Sequence, residues 1–166
     1  MTGIASNQLR SAFVAESTVG TTPSSPSFTT SDVPINMTAA PNIYEHRSLA
    51  AKGEAVETAI TGIDITGNMS GTLVYGAYDT FFESLLQGAY STNVLKSAKA
   101  TKSVTVENAI NAGVGGTLTM MRYTGVEATG GSISLASNSD IQFNFDLIGM
   151  GSLDTTTSAI GSSSYT

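Results

Sequence analysis

The chain is 166 residues long with a net charge of −6, only 12% charged residues and no cysteine. That length suits one domain around a single core, and the missing thiols exclude disulfides, thiolate catalysis and Cys-ligated metals. Seven Lys and Arg against 13 Asp and Glu argue against affinity for nucleic-acid phosphates, which rests on cationic side chains.

Charge is low against a usual value of about 25%, while Ser and Thr make up more than a quarter of the chain. Polarity is therefore carried by hydroxyl and backbone groups. A free soluble domain usually keeps about 25–35% of its surface charged, so this composition reads as one built to associate. The N-terminus lacks a basic and apolar leader, and no stretch has the roughly 18 apolar residues of a membrane span. The expectation is a protein made in the cytoplasm, without membrane insertion.

In chain order, 8–16 alternates loosely and predicts a first strand, 17–31 is a Pro/Ser/Thr loop, and 33–38, marked by Pro34, suits an edge strand. Residues 40–57 hold Glu45, His46, Arg47, Lys52, Glu54 and Glu57 with no clean period, which predicts a long exposed loop. Over 62–77 alternation returns, with Ile63, Ile65, Met69, Leu73 and Tyr75 on one face and Asp64, Thr66, Asn68, Ser70 and Thr72 on the other. A helix follows over about 78–87, with Asp79 as N-cap, Phe81, Phe82, Leu85 and Leu86 as its core stripe, and Gly88 closing it.

Further strands are expected at 92–97, 101–107, 116–124, 131–137 and 140–148. The last puts Ile141, Phe143, Phe145 and Leu147 in the core and Gln142, Asn144 and Asp146 on the opposite face. The fold class is mainly β, an antiparallel β-sandwich or barrel-like domain over 1–150 with one α-helix, followed by a Ser/Thr/Gly-rich arm or linker over 151–166.

Little chemistry is on offer. His46 is the lone histidine, and Asp64, Asp140, Asp146 and Asp154 lack the dense spacing of a calcium loop. The glycines of 112–117 have no following Lys-Ser/Thr and suit a hairpin turn better than a phosphate loop. The sequons at Asn36 and Asn68 carry no weight without a signal peptide. No catalytic residue, metal ligand or cofactor is assigned.

Four segments carry a resemblance. They are "SAFVAESTVGTTPSSPSFTTS" (11–31), "MSGTLVYGAYDTFFESLLQGAY" (69–90), "KSVTVENAI" (102–110) and "RYTGVEATGGSISLASNSDIQFNFDLIGMGS" (122–152), with R-Y-T-G at 122–125 and F-x-F-D-x-x-G at 143–149. In order and spacing the chain resembles the tail tube proteins of long-tailed bacteriophages. The resemblance implies a β-sandwich with one helix, self-assembly into stacked, hexameric rings, and a hollow tube through which viral DNA is ejected. It also implies other tail proteins as partners (tape measure, tail tip, terminator) and a place in the virion tail, assembled in the host cytoplasm.

On this reading Asp64, Thr66, Asn68, Ser70, Thr72, Gln142, Asn144 and Asp146 face the lumen. Tyr44, Glu45, Arg47, Lys52, Glu54 and Glu57 supply contacts between subunits and rings. Two alternatives stay open: the inner tube of a contractile injection machine, and a monomeric β-sandwich binding module. The second would need a cluster of exposed aromatics, whereas the six tyrosines are spread along the chain and Trp is absent.

Overall fold

The computed structural model describes residues 9–46, 57–111, 118–158, 160 and 164–166. Its elements are β1 (Leu9–Ala15), β2 (Ser27–Thr30), β3 (Ile35–His46), β4 (Glu57–Thr72), α1 (Asp79–Leu86), β5 (Tyr90–Ser91), β6 (Val94–Leu95), β7 (Val104–Asn111), β8 (Leu118–Ser134), β9 (Gln142–Gly149), β10 (Ser152–Thr156) and β11 (Ser164–Tyr165). The main ladder runs β11-β2-β1-β7-β8-β9-β4-β3, with β10 joined to β8 and a separate hairpin β5-β6. Pairing is antiparallel except between β11 and β2.

Strand β8 belongs to two sheets. Its first half, up to Val126, pairs with β7 and β10, and its second half, from Glu127, pairs with β9. Between them Gly125 takes φ +61°, a conformation that L side chains avoid, and a Cβ there would run into Met150. The register then slips between Ala128 and Gly130, a bulge of the kind that lets a strand change sheets. The Ala128 N–H donates to Ser84 Oγ of the helix at 3.0 Å, and the Gly125 N–H donates to Glu16 Oε1 at 3.0 Å. The Glu16 carboxylate also accepts from the Ser103 and Thr105 hydroxyls and the Gly20 N–H at 2.6–2.7 Å.

The core lies between the sheets. Phe13, Val104, Val106, Tyr123 and Val126 share it with Ile35, Ile65, Met69, Phe143, Phe145 and Leu147. Helix α1 adds Phe81, whose ring lies 4.8 Å from Phe13 and 6.0 Å from Phe145. Phe82 and Leu85 are half-buried against the same cluster.

Several expectations are corrected. Ile141 and Leu86, expected in the core, are 41% and 38% exposed, because each stands at the end of its element: β9 begins at Gln142 and α1 ends at Leu86. Tyr75 is 95% exposed, since β4 stops at Thr72, and Ile63, of the same expected face, is 37% exposed. Asp79 does not cap the helix. Tyr78 holds the N-cap position without a side-chain bond, and Asp79 sits in the first turn, where its charge suits the helix dipole. At the other end Gln87, with φ 53°, takes the left-handed conformation, while Gly88 is needed because a Cβ there would strike the Lys96 carbonyl.

The loop expected over 40–57 is largely strand in its described part. Residues 40–46 continue β3, and β4 begins at Glu57. Residues 152–156 pair with β8, and 164–165 pair with β2, so much of the linker-like C-terminal stretch is built into the sheet.

Two outcomes check this packing. Phe145→Ala, which empties the meeting point of Phe81, Phe82 and Phe143, should lower unfolding free energy by about 3–5 kcal/mol in urea titrations, and Ile141→Ala by no more than about 1 kcal/mol. Burial, helped by Asp32, raises the pKa of Tyr78 above its ordinary 10.0. The unfolded chain then loses the proton first, so stability held below pH 10 falls as pH rises toward the folded pKa. Tyr78 Oη is buried without a hydrogen-bond partner. Tyr78→Phe should therefore leave the thermal midpoint at pH 7 within a few degrees and reduce its fall above pH 10.

Candidate functional site

The eight residues expected on one polar face are brought together. Antiparallel register sets Asn68 opposite Asp146, Ser70 opposite Asn144 and Thr72 opposite Gln142, and Asp64 and Thr66 continue the same face of β4. Asn144 is half-buried and the other seven are exposed. The side chains bond across and along the strands, Gln142 Nε2 to Thr72 Oγ1 at 3.2 Å and Asn144 Nδ2 to Asp146 Oδ1 at 3.3 Å.

Sequence reasoning missed the flanks of this face. Asn36 and Thr38 of β3 lie opposite Asn68 and Thr66, and Ser132 and Ser134 of β8 lie opposite Asn144 and Gln142. All four are exposed. Both segments are expected as strands, but which strands flank the face depends on pairing, and the local period-2 alternation of "INMTA" and "GSISLAS" does not carry that. Neither β3, β4, β9 nor residues 127–134 of β8 contain a Lys or Arg, so the face is cation-free and mildly acidic, mostly of small polar groups, with Ile148, 47% exposed, opposite Thr66. Its strands end at two edges, β3 and the second half of β8, which have no further strand partner among the described residues.

The second surface is a two-stranded ribbon. Strand β4 pairs with β9 only from Ile65 onward, so among the described residues Ile43–His46 and Glu57–Ile60 pair only with each other. There Ile43, Tyr44 and Ile60 are 63%, 59% and 70% exposed. A register shift between Asn42 and Ile43 separates this part from the body of the sheet. Of the residues expected to make contacts, Tyr44, Glu45 and Glu57 lie on the ribbon, and Arg47, Lys52 and Glu54 lie outside the described residues. His46 pairs with Glu57 across the ladder. Among the described residues no group of three or more His, Asp or Glu is placed to hold a metal ion.

A family model for the phage tail tube protein matches residues 6–166. The chain belongs to that family. It is a structural tail tube protein, and its solved structural neighbours agree in fold. A chain of the SPP1 tail tube superposes with a TM-score of 0.61 at 8% identity, covering 96% of this chain and 82% of that one. A chain of the anti-feeding prophage baseplate gives 0.58 at 11% identity, with coverage of 94% and 97%. One from the sheath/tube terminator of an extracellular contractile injection system gives 0.58 at 9%, with 94% and 98%. No curated protein sequence matches.

The polar face of this tail tube protein is exposed and makes few internal bonds, so it should be nearly silent in folding. Asp146→Asn is expected to change the unfolding free energy by no more than about 0.5 kcal/mol in chemical denaturation.

Proposed function

We propose that six copies close into a ring by pairing the β3 edge of one subunit with the free edge of β8 (129–134) in the next, and that the rings stack into the tube. Open sheet edges present unpaired N–H and C=O groups that seek a strand, and a heterologous contact that closes on itself satisfies them around a cycle. The six-fold symmetry of the anti-feeding prophage baseplate supports the number.

In that ring the continuous sheet turns its core side outward and its polar face, Asp64, Thr66, Asn68, Ser70, Thr72, Gln142, Asn144 and Asp146, toward the channel. This cation-free face between two open edges is the observation that carries the reading. Duplex DNA bears a charge about every 1.7 Å of its axis. A wall of Lys or Arg would hold it, whereas hydroxyls, amides and a few carboxylates let it slide. The lumen works by declining to bind, and the subunit needs no cofactor and performs no catalysis.

Ring stacking falls to the ribbon, where Ile43, Tyr44 and Ile60 are exposed, together with Glu45, Arg47, Lys52, Glu54 and Glu57. The charged pairs there add little individually, about 0–1 kcal/mol each, but repeat at every subunit. The tube sits in the virion tail, assembled in the host cytoplasm with tape-measure, tip and terminator proteins at its ends.

Negative-stain electron microscopy of the purified protein at rising concentration should show rings or hollow tubes, and a monomer throughout would oppose self-assembly by this chain alone. In a phage carrying the gene, Asn144→Lys with Asp146→Lys should leave tubes of normal length yet slow DNA release severalfold. Normal release would remove these residues from the channel wall.

A further inference from the structure

Strand β7 is buried on both faces. Val104 and Val106 point into the sandwich, but Thr105, Glu107 and Ala109 face outward and are still 0%, 0% and 1% exposed. A carboxylate on the outside of a sheet reaches that state only under a cover; Thr105 is covered by Glu16 and Thr22, and over Glu107 two arginines are joined by the chain's own C-terminal stretch. The Tyr165 hydroxyl donates to Glu107 Oε1 at 2.6 Å. Arg122 Nε donates to Glu107 Oε2 at 2.8 Å, and its terminal nitrogen to the Ser158 carbonyl at 2.9 Å. Arg10 completes the set, 3.4 Å from Glu107 and 3.7 Å above the Tyr165 ring.

The same tyrosine stacks on Phe28 with centroids 5.4 Å apart, and Phe28 is fully buried. Around it the terminal strand lies along the edge of β2. Thr30 donates its N–H to the Thr166 carbonyl at 2.7 Å, Thr166 to the Phe28 carbonyl at 3.0 Å, and Ser164 to the Pro26 carbonyl at 3.1 Å. Only two residues count as strand here, so a few backbone bonds and one aromatic key seat the whole element.

We propose that β11 is a detachable strap: keyed by Tyr165 into the slot formed by Arg10, Phe28 and Glu107, it closes the β2 edge and the outer face of the first sheet against other copies, so that association is confined to the second sheet. Removing the strap uncovers an unpaired edge, an aromatic ring and an ion pair together, which is what a second copy would need for a wrong contact. The strap thus acts on the unassembled subunit and needs no ring to do so.

The test uses the 166-residue chain at concentrations below assembly. The Thr30 amide, bonded to the strap alone, should exchange hydrogen about tenfold faster in Tyr165→Phe, which keeps the ring but loses a bond to a charged group, while Phe145 in the core stays unchanged. Tyr165→Ala should expose the slot further. That variant should grow larger by light scattering and bind a labelled peptide of residues 157–166, which the unaltered chain excludes. Unchanged Thr30 protection in Tyr165→Ala, or a variant that neither associates nor takes the peptide, would overturn the proposal. Absence of tubes from the unaltered chain would count against the ring reading and leave these exchange results untouched.

Discussion

Both sheets depend on the turn of β8. A strand of this length, run straight, would extend one sheet and leave Phe143, Phe145 and Leu147 with nothing opposite them. The left-handed Gly125 and the bulge after Ala128 let it leave one sheet for the other, and two backbone N–H groups at the bend find side-chain partners. Glu16 takes that of Gly125, and Ser84 takes that of Ala128. Buried amides without partners are costly, so the bend fixes where the helix and the turn after β1 must dock. The core, the polar face and the two open edges follow from that placement.

The parts of the fold legible in the sequence are those whose signal is local. Alternation from Asp64 to Thr72 and from Gln142 to Leu147 revealed strands, their buried sides and their polar faces, because a period of two needs no knowledge of partners. The extension of β3 through Pro41 to His46 was hidden. Its evidence lies in the opposite strand, Glu57 to Gly62, and the charges between look like a loop. Ile141 and Leu86 were misread at element ends, where periodicity continues in sequence after the backbone has left the strand or helix. The C-terminal stretch reads as linker because hydroxyl-rich composition says nothing of Tyr165, whose partner Glu107 stands 58 residues away.

Charge is scarce in this chain and unevenly placed. Two carboxylates, Glu16 and Glu107, are enclosed by donors and hold distant segments together, while the channel-side face proposed here is given mostly neutral groups. Hydroxyls suit both uses. They satisfy a half-buried acceptor, as Ser103 and Thr105 do for Glu16, and they wet a surface without attracting a polyanion.

The register shift at Asn42 and Ile43 has a mechanical meaning. Among the described residues two strands continue beyond it, and opposite it stands Gly62, whose position leaves open space around a would-be Cβ. In a tube stacked through these ribbons, every load passing from ring to ring crosses that narrow neck. The rings would then behave as stiff washers joined by flexures. Bending of the whole tail would be taken up at the joints, leaving the bore round while the shaft curves.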